Sequence, residues 1–180
     1  MTKNDNYISS LKAWNLDDLV DHVLNTHHAY LKANYPLIHQ LIDKLRTQES
    51  NNKTAEKISE LFTHFTDDLA RHLIKEEEIL FPYFKKLGQM KDKESYEPAS
   101  FGSLTRPIEM MESEHDDSHS QLEEIKSITK NFTPDQGASP VTHSLYYKLN
   151  EFNDDMDIHH ELEDEILFVK AREIEEQFGV

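Results

Sequence analysis

Apolar residues recur at helical spacing over most of the chain. A first stripe reads Leu16, Leu19, Val20, Val23, Leu24, Leu31, Ile38, Leu41, Ile42 and Leu45. A second reads Ile58, Leu61, Phe62, Phe65, Leu69, His72, Leu73, Glu76, Ile79 and Leu80, and a third Ile108, Met111, His115, Leu122, Ile125 and Ile128. A fourth helix starts at the strong signal Ser139-Pro140 and runs to about Gln177. Asn15 is a plausible N-cap for the first helix, with Asp17 and Asp18 near its positive end. Thr54 and Thr105 are the expected caps of the second and third. Pro36 is expected to kink or split the first helix. The second is expected to bend at Pro82, reach Leu87 and stop at Gly88.

Polar segments separate these stripes, at 46–54, 88–104 and 131–139. Four long helices with loops at alternating ends predict an all-α, antiparallel, up-down-up-down four-helix bundle over residues 16–180. Residues 1–15 read as a polar N-terminal arm, which Ile8, Leu11 and Trp14 would pack against the body. The whole, 1–180, reads as one domain.

Two of the stripes carry histidine and glutamate where apolar residues belong. His72 precedes Glu76 by four residues, one turn along the same helix face. The arrangement returns 87 residues later, at His159 and Glu163 (159 − 72 and 163 − 76), together with Glu78/Glu165, Ile79/Ile166, Leu80/Leu167 and Phe81/Phe168. His28 and His115 share the offset, as do Phe65/Phe152, Asp67/Asp154 and Asp68/Asp155. Each half is thus a helical hairpin with a lone histidine and then His-x-x-x-Glu, and two such hairpins form a pseudo-symmetric whole. Packed about a pseudo-twofold axis, they would bring four histidines and two glutamates to the bundle centre.

The register selects among neighbours. His28 has a histidine partner at 115, whereas His27 pairs with Glu114; His159 has glutamate four residues on, and His160 is left as exposed or peripheral. His22, His39, His64, His119 and His143 are read as ordinary surface or hydrogen-bonded histidines. Glu77, Glu78, Asp164 and Glu165 are read as solvated or salt-bridged carboxylates.

Imidazole and carboxylate without thiolate suit iron, manganese, zinc or copper, and six ligands exceed what one tetrahedral zinc needs. Two metals would each take two histidines and share both glutamates. With an oxo or hydroxo bridge, each would keep a position open for a small ligand, and iron fits best. Asp68 and Asp155, each four residues before a ligand histidine, are candidates to orient those imidazoles. Glu114 is a candidate to gate entry.

Composition narrows the partners. Among 180 residues, 35 are acidic and 19 basic, a net charge of −16 that repels phosphate backbones and argues against nucleic acid. The absence of cysteine excludes disulfides, thiolate metal sites and cysteine-bound clusters. With no signal region and no membrane span, a cytoplasmic location is expected.

The stretches Asp21–His28, His72–Pro82, Met111-Glu-Ser-Glu-His-Asp116 and Asp154–Phe168 resemble the hemerythrin-like superfamily. They are more closely similar to the repair-of-iron-centres di-iron proteins. The resemblance implies a non-haem di-iron centre held by His28, His72, His115 and His159, bridged by Glu76 and Glu163, with Glu114 near ligand access and Asp68 where a related acid lies. It implies protection or repair of iron–sulfur clusters damaged by nitric oxide or peroxide, by supplying iron. Competing readings are an enzyme reducing nitric oxide at the paired irons, and a module that binds oxygen, nitric oxide or iron without turnover. Two departures stand out. Many such proteins carry an N-terminal domain with adjacent cysteines, which this chain is expected to lack. And Val169 stands where the first half has Pro82, so the last helix is expected to be straighter.

Overall fold

Helices form along all four stripes. The computed structural model describes residues 3–93 and 96–179, and no strand occurs among them beyond one isolated bridge between Ala99 and Gly102. The elements are α1 (Lys3–Leu11), α2 (Leu16–His22), α3 (Ala29–Gln48), α4 (Lys53–Lys75), α5 (Phe81–Lys93), α6 (Thr105–Ile128), α7 (Pro140–Leu162) and α8 (Phe168–Glu176). Three π turns, Val23–His28, Glu76–Leu80 and Glu163–Leu167, join α2 to α3, α4 to α5 and α7 to α8 without a break. The result is four continuous columns, the expected bundle, with α1 added.

Asn15 caps α2 by accepting from the Asp18 N–H at 2.8 Å, and Ser139 caps α7 by accepting from the Thr142 N–H at 3.2 Å, both as expected. The other two expected caps are corrected. α4 begins two residues earlier, with Asn52 accepting from the Ala55 N–H at 2.9 Å, and Thr54 lies inside the helix. α6 begins at Thr105 itself. The N–H of Leu104, just before it, donates at 2.8 Å to Glu175, a buried carboxylate that also accepts from the Tyr83 hydroxyl at 3.3 Å.

Pro36 does not split its helix. It is exposed, and so is Lys32, whose carbonyl it leaves free, so water can serve that group. Nor does Gly88 end the second column, which continues to Lys93. A Cβ at Gly88 would lie 3.0 Å from Asp17 Oδ1, so the glycine lets α5 approach α2 closely. The expected arm is a helix that buries Ile8 and Leu11, while Trp14 stays 39 % exposed with its edge on the His22 ring. Ile79 departs from its stripe and is 51 % exposed, because the π turn carries it to the outside. The last column is no more regular for having Val169, since it has its own π turn. Residues 94 and 95 of the expected linker, residues 1 and 2 of the arm, and residue 180 lie outside the described residues.

The core divides into two clusters. One collects residues from α1, α2, α5, the start of α6 and α8, including Leu19, Phe81, Phe84, Met111 and Phe168. The other collects residues from α3, α4, the later part of α6 and α7, including Ile38, Phe62, Phe65, Ile125 and Phe152. The residues between them on each column are His28, His72 and Glu76, His115, and His159 and Glu163. A polar layer thus crosses the middle of an apolar bundle.

Glu175 ties the end of the last column to the start of α6, so E175A is expected to lower stability by roughly 1–3 kcal/mol, the cost of unpaired buried polar groups. Thermal or urea unfolding of the variant measures it.

Candidate metal centre

Each side chain of the polar layer is placed by a turn of helix. His28 ends the first π turn, His72 and His159 lie in the last turns of α4 and α7, and Glu76 and Glu163 open the second and third π turns. His115 lies in the regular helix α6. π turns insert one residue into an α-helix and concentrate at functional sites, and all three here fall at this layer.

All six residues are buried, both glutamates completely. The histidines form two pairs: His28 Nε2 faces His159 Nε2 at 3.2 Å, and His115 Nε2 faces His72 Nε2 at 3.1 Å. The glutamates divide their oxygens between the pairs. Glu76 Oε2 lies 3.3 Å from His28 and its Oε1 3.3 Å from His72. Glu163 Oε1 lies 3.0 Å from His159 and its Oε2 3.4 Å from His115. Two four-residue groups result, His28–Glu76–His159–Glu163 and His72–Glu76–His115–Glu163, each with its ligand atoms within 4.8 Å of one another. The four carboxylate oxygens are buried and make no hydrogen bond, a costly arrangement unless a cation sits among them. Facing imidazole nitrogens, of which at most one can carry a proton in the gap, have the same need. The residues therefore fit two metal ions, each held by two imidazoles and sharing two carboxylates.

The profile of the "Hemerythrin HHE cation binding domain" matches residues 19–171. The chain belongs to this family. The cofactor of such a domain is a di-iron centre. Among relatives, the "Iron-sulfur cluster repair protein YtfE" of Salmonella typhimurium is 32 % identical over 158 residues, covering 87 % of this chain and 66 % of the relative. The protein of the same name from Dickeya chrysanthemi is 32 % identical over 168 residues, covering 91 % of this chain and 70 % of the relative.

Around this histidine and glutamate cluster, carboxylates hold three of the outer imidazole nitrogens. His28 Nδ1 donates to Glu77 at 2.7 Å, His72 Nδ1 to Glu114 at 3.0 Å and His115 Nδ1 to Asp164 at 2.8 Å. Only Glu114 was expected in this neighbourhood. Glu77 and Asp164, read from sequence as solvated or salt-bridged, are paired: Glu77 holds both His28 and Lys32, and Asp164 holds His115, so their partners include imidazoles that the sequence reading did not name. The repeat carries the signal that marks them: they are 87 apart (164 − 77) and each directly follows a glutamate of the cluster. Asp68 and Asp155 are corrected. Asp68 pairs with Arg71 and Gln121, and Asp155 with His27 at 3.1 Å. His72 Nδ1 turns to Glu114 on α6, so a carboxylate four residues earlier on α4 does not meet it, and Asp155 is taken up by His27.

The pseudo-symmetry breaks at one place. His159 Nδ1 is buried without a hydrogen-bond partner. The place that Glu114 fills beside His72 is filled on this side by His27 (114 − 27 = 87), whose ring stacks on His159 with centroids 5.6 Å apart and planes at 5°. His160 stacks on His115 at 4.1 Å, a peripheral role as expected. It lines a cavity of about 210 Å³, with Asp68, Arg71, Lys75 and Glu114, that reaches His72 and His115. Glu114, also paired with Lys75, stands at this entry as well as on His72.

Without metal, charge balance falls on the histidines. Burial lowers each imidazole, but Glu163 and Glu76 outweigh it at His28, raised to about 10. Glu76 and Glu114 do the same at His72, raised to about 10, and Asp164 and Glu163 at His115, raised to about 9. His159 stays below its ordinary value because burial prevails over Glu163. Burial and the Glu163 charge push Glu76 up, yet His72 and His28 hold it at about 2.

At neutral pH His28 is protonated and the facing pair His72 and His115 shares one extra proton in the gap between the two Nε2 atoms, and the stability these protons contribute is lost as pH rises through 9 to 10. Metal must displace these protons. Affinity is therefore expected to rise with pH, and calorimetric loading should show heats that depend on the buffer's ionisation enthalpy. Buffer-independent heats would contradict this. D164N, which removes an imidazole partner, is expected to weaken metal binding about 10–100-fold, while D68N leaves it unchanged; competitive chelator titrations compare the two.

Proposed function

We propose that this hemerythrin domain holds two irons, one between His28, His159, Glu76 and Glu163 and the other between His72, His115, Glu76 and Glu163. We further propose that it protects or repairs iron–sulfur clusters damaged by nitrosative or oxidative stress, supplying iron to client proteins. The observation that carries the site is the division of each glutamate's two oxygens between the two histidine pairs. The relatives named for iron–sulfur cluster repair, about a third identical over most of this chain, support the role.

When bound, the iron pair supplies one- and two-electron chemistry and exchangeable metal. The chain's residues do the rest. The two glutamates set the spacing of the pair. Glu77, Glu114 and Asp164 fix the tautomers of His28, His72 and His115 so that Nε2 faces the metal. The apolar clusters on either side keep water from the centre, and the cavity at His72 and His115 admits a small ligand such as nitric oxide, oxygen or peroxide. That cavity favours a second reading, reduction of nitric oxide at the pair. No helix among the described residues is long and apolar enough to cross a membrane, and the cytoplasm, where client clusters form, suits the role.

H72A is expected to lose most of its iron by metal analysis, and H64A, which alters an exposed histidine, to keep it; equal retention would refute the assignment. Loaded protein is expected to restore activity to a nitric-oxide-damaged iron–sulfur enzyme under reducing conditions. Failure there, with nitrous oxide released from the reduced protein under nitric oxide, would establish the second reading instead.

A further inference from the structure

The side of the centre that lacks a carboxylate on His159 holds a row of aromatic rings leading to the surface. His27 stacks on His159, and the edge of His22 meets His27 with centroids 5.9 Å apart and planes at 89°. Tyr7, on α1, donates its hydroxyl to His22 Nε2 at 2.5 Å, and Trp14 packs edge-on against the same ring at 5.3 Å. A cleft lined by Trp14, His22, Asn25 and Thr26 lies outside.

Local structure builds this row. His22 and His27 are five residues apart, a spacing that a regular α-helix splays around its circumference; the π turn Val23–His28 brings them to one face. Ile8 and Leu11 seat α1 so that Tyr7 reaches His22. The other half has no counterpart: at the offset of 87, Trp14 becomes Phe101, His22 becomes Glu109 and His27 becomes Glu114. The column carrying His115 has no π turn there.

One tautomer of His22 satisfies both of its hydrogen bonds with Tyr7 as the donor. His22 Nδ1 lies 3.2 Å from Thr26 Oγ1 and is the N–H side, which leaves Nε2 to accept from Tyr7. His27 Nδ1 donates to Asp155, and its Nε2 is buried without a partner. His27 is thus a buried imidazole next to a ligand that neither binds metal nor completes a hydrogen-bond network.

We infer that Tyr7, His22 and His27 form a one-electron and proton relay into the iron centre through His159, with Tyr7 as the reducing residue. The inference rests on the di-iron reading. A peroxide reduced to two waters consumes two electrons and two protons. A centre with a single ferrous iron would contribute one electron, and Tyr7 supplies the other. The Tyr7 O–H bond breaks. Its electron passes through the rings of His22 and His27 to His159, and its proton moves along the existing hydrogen bond to His22 Nε2, making an imidazolium. The two protons consumed by peroxide come from solvent. Tyr7 is left as a neutral phenoxyl radical, which an external one-electron reductant at the Trp14 cleft returns to the phenol.

The test uses the full chain loaded with iron, brought to the mixed-valent state, mixed with hydrogen peroxide and freeze-quenched for EPR. The native protein is expected to give a tyrosyl radical signal. Y7F, which keeps the ring and removes only the hydroxyl, is expected to lose it at unchanged iron content. H27L, which breaks the stack but keeps Tyr7, is expected to lose it too; if H27L fails to hold iron, Y7F alone decides. A signal undiminished in Y7F overturns the inference, as does the absence of any radical from native protein holding two irons per chain. Metal analysis of the same samples separates the two levels: a chain that binds no iron pair defeats the site assignment and the relay together, whereas a radical-free di-iron protein defeats the relay alone.

Discussion

Two carboxylates lie side by side in the middle of a helical bundle, out of reach of water. Everything around them answers that constraint. Like charges in a low-dielectric interior repel and lose their hydration, so they persist only if cations face them from several directions. Four imidazoles surround them, and the carboxylates raise His28, His72 and His115 above the ordinary range of histidine. The bundle supplies rigidity by enclosing this layer between two apolar clusters, each rich in fully buried phenylalanine. The charged layer is expensive, and the helices above and below it carry the stability that offsets it.

The fold was legible because amphipathic stripes of this length leave little alternative to a bundle. The site was legible because one offset tied six chemically matched positions together; composition alone would have left eleven histidines undivided. What was missed is instructive. For Glu77 and Asp164 the sequence leaves solvation and salt-bridging open and does not name the imidazoles, because a carboxylate beside another carboxylate on a helix usually is solvated or paired with a lysine or arginine. Their partners are on other helices, and tertiary placement of that kind leaves only the faint trace of the shared offset. Asp68 and Asp155 show the opposite: four-residue spacing along one helix does not bring a carboxylate to an imidazole nitrogen that other elements serve. Ile79 left its stripe because a π turn has no period in the sequence, only a chemical reason to exist.

The repeat is also informative where it fails. Duplicated hairpins would give two equal histidine pairs, and the chain keeps that equality in the ligands while abandoning it around them. One pair has both outer nitrogens held by carboxylates and opens to a cavity. The other has His159 under a stacked imidazole and faces the N-terminal helix. The cavity thus reaches one histidine pair and the row of stacked rings reaches the other.

The π turns at Glu76–Leu80 and Glu163–Leu167 bear on how such a chain can vary. Each is a helix carrying one residue more than regular winding needs. Deleting that residue would restore an ordinary α-helix and improve its hydrogen bonding, yet it would rotate all that follows by about 100°. Phe81, Phe84 and Phe168, now fully buried, would swing away from the core that they fill. The segments next to the centre should thus accept many exchanges of side chain but no change in length, so an inserted or deleted residue there is a more damaging lesion than most substitutions.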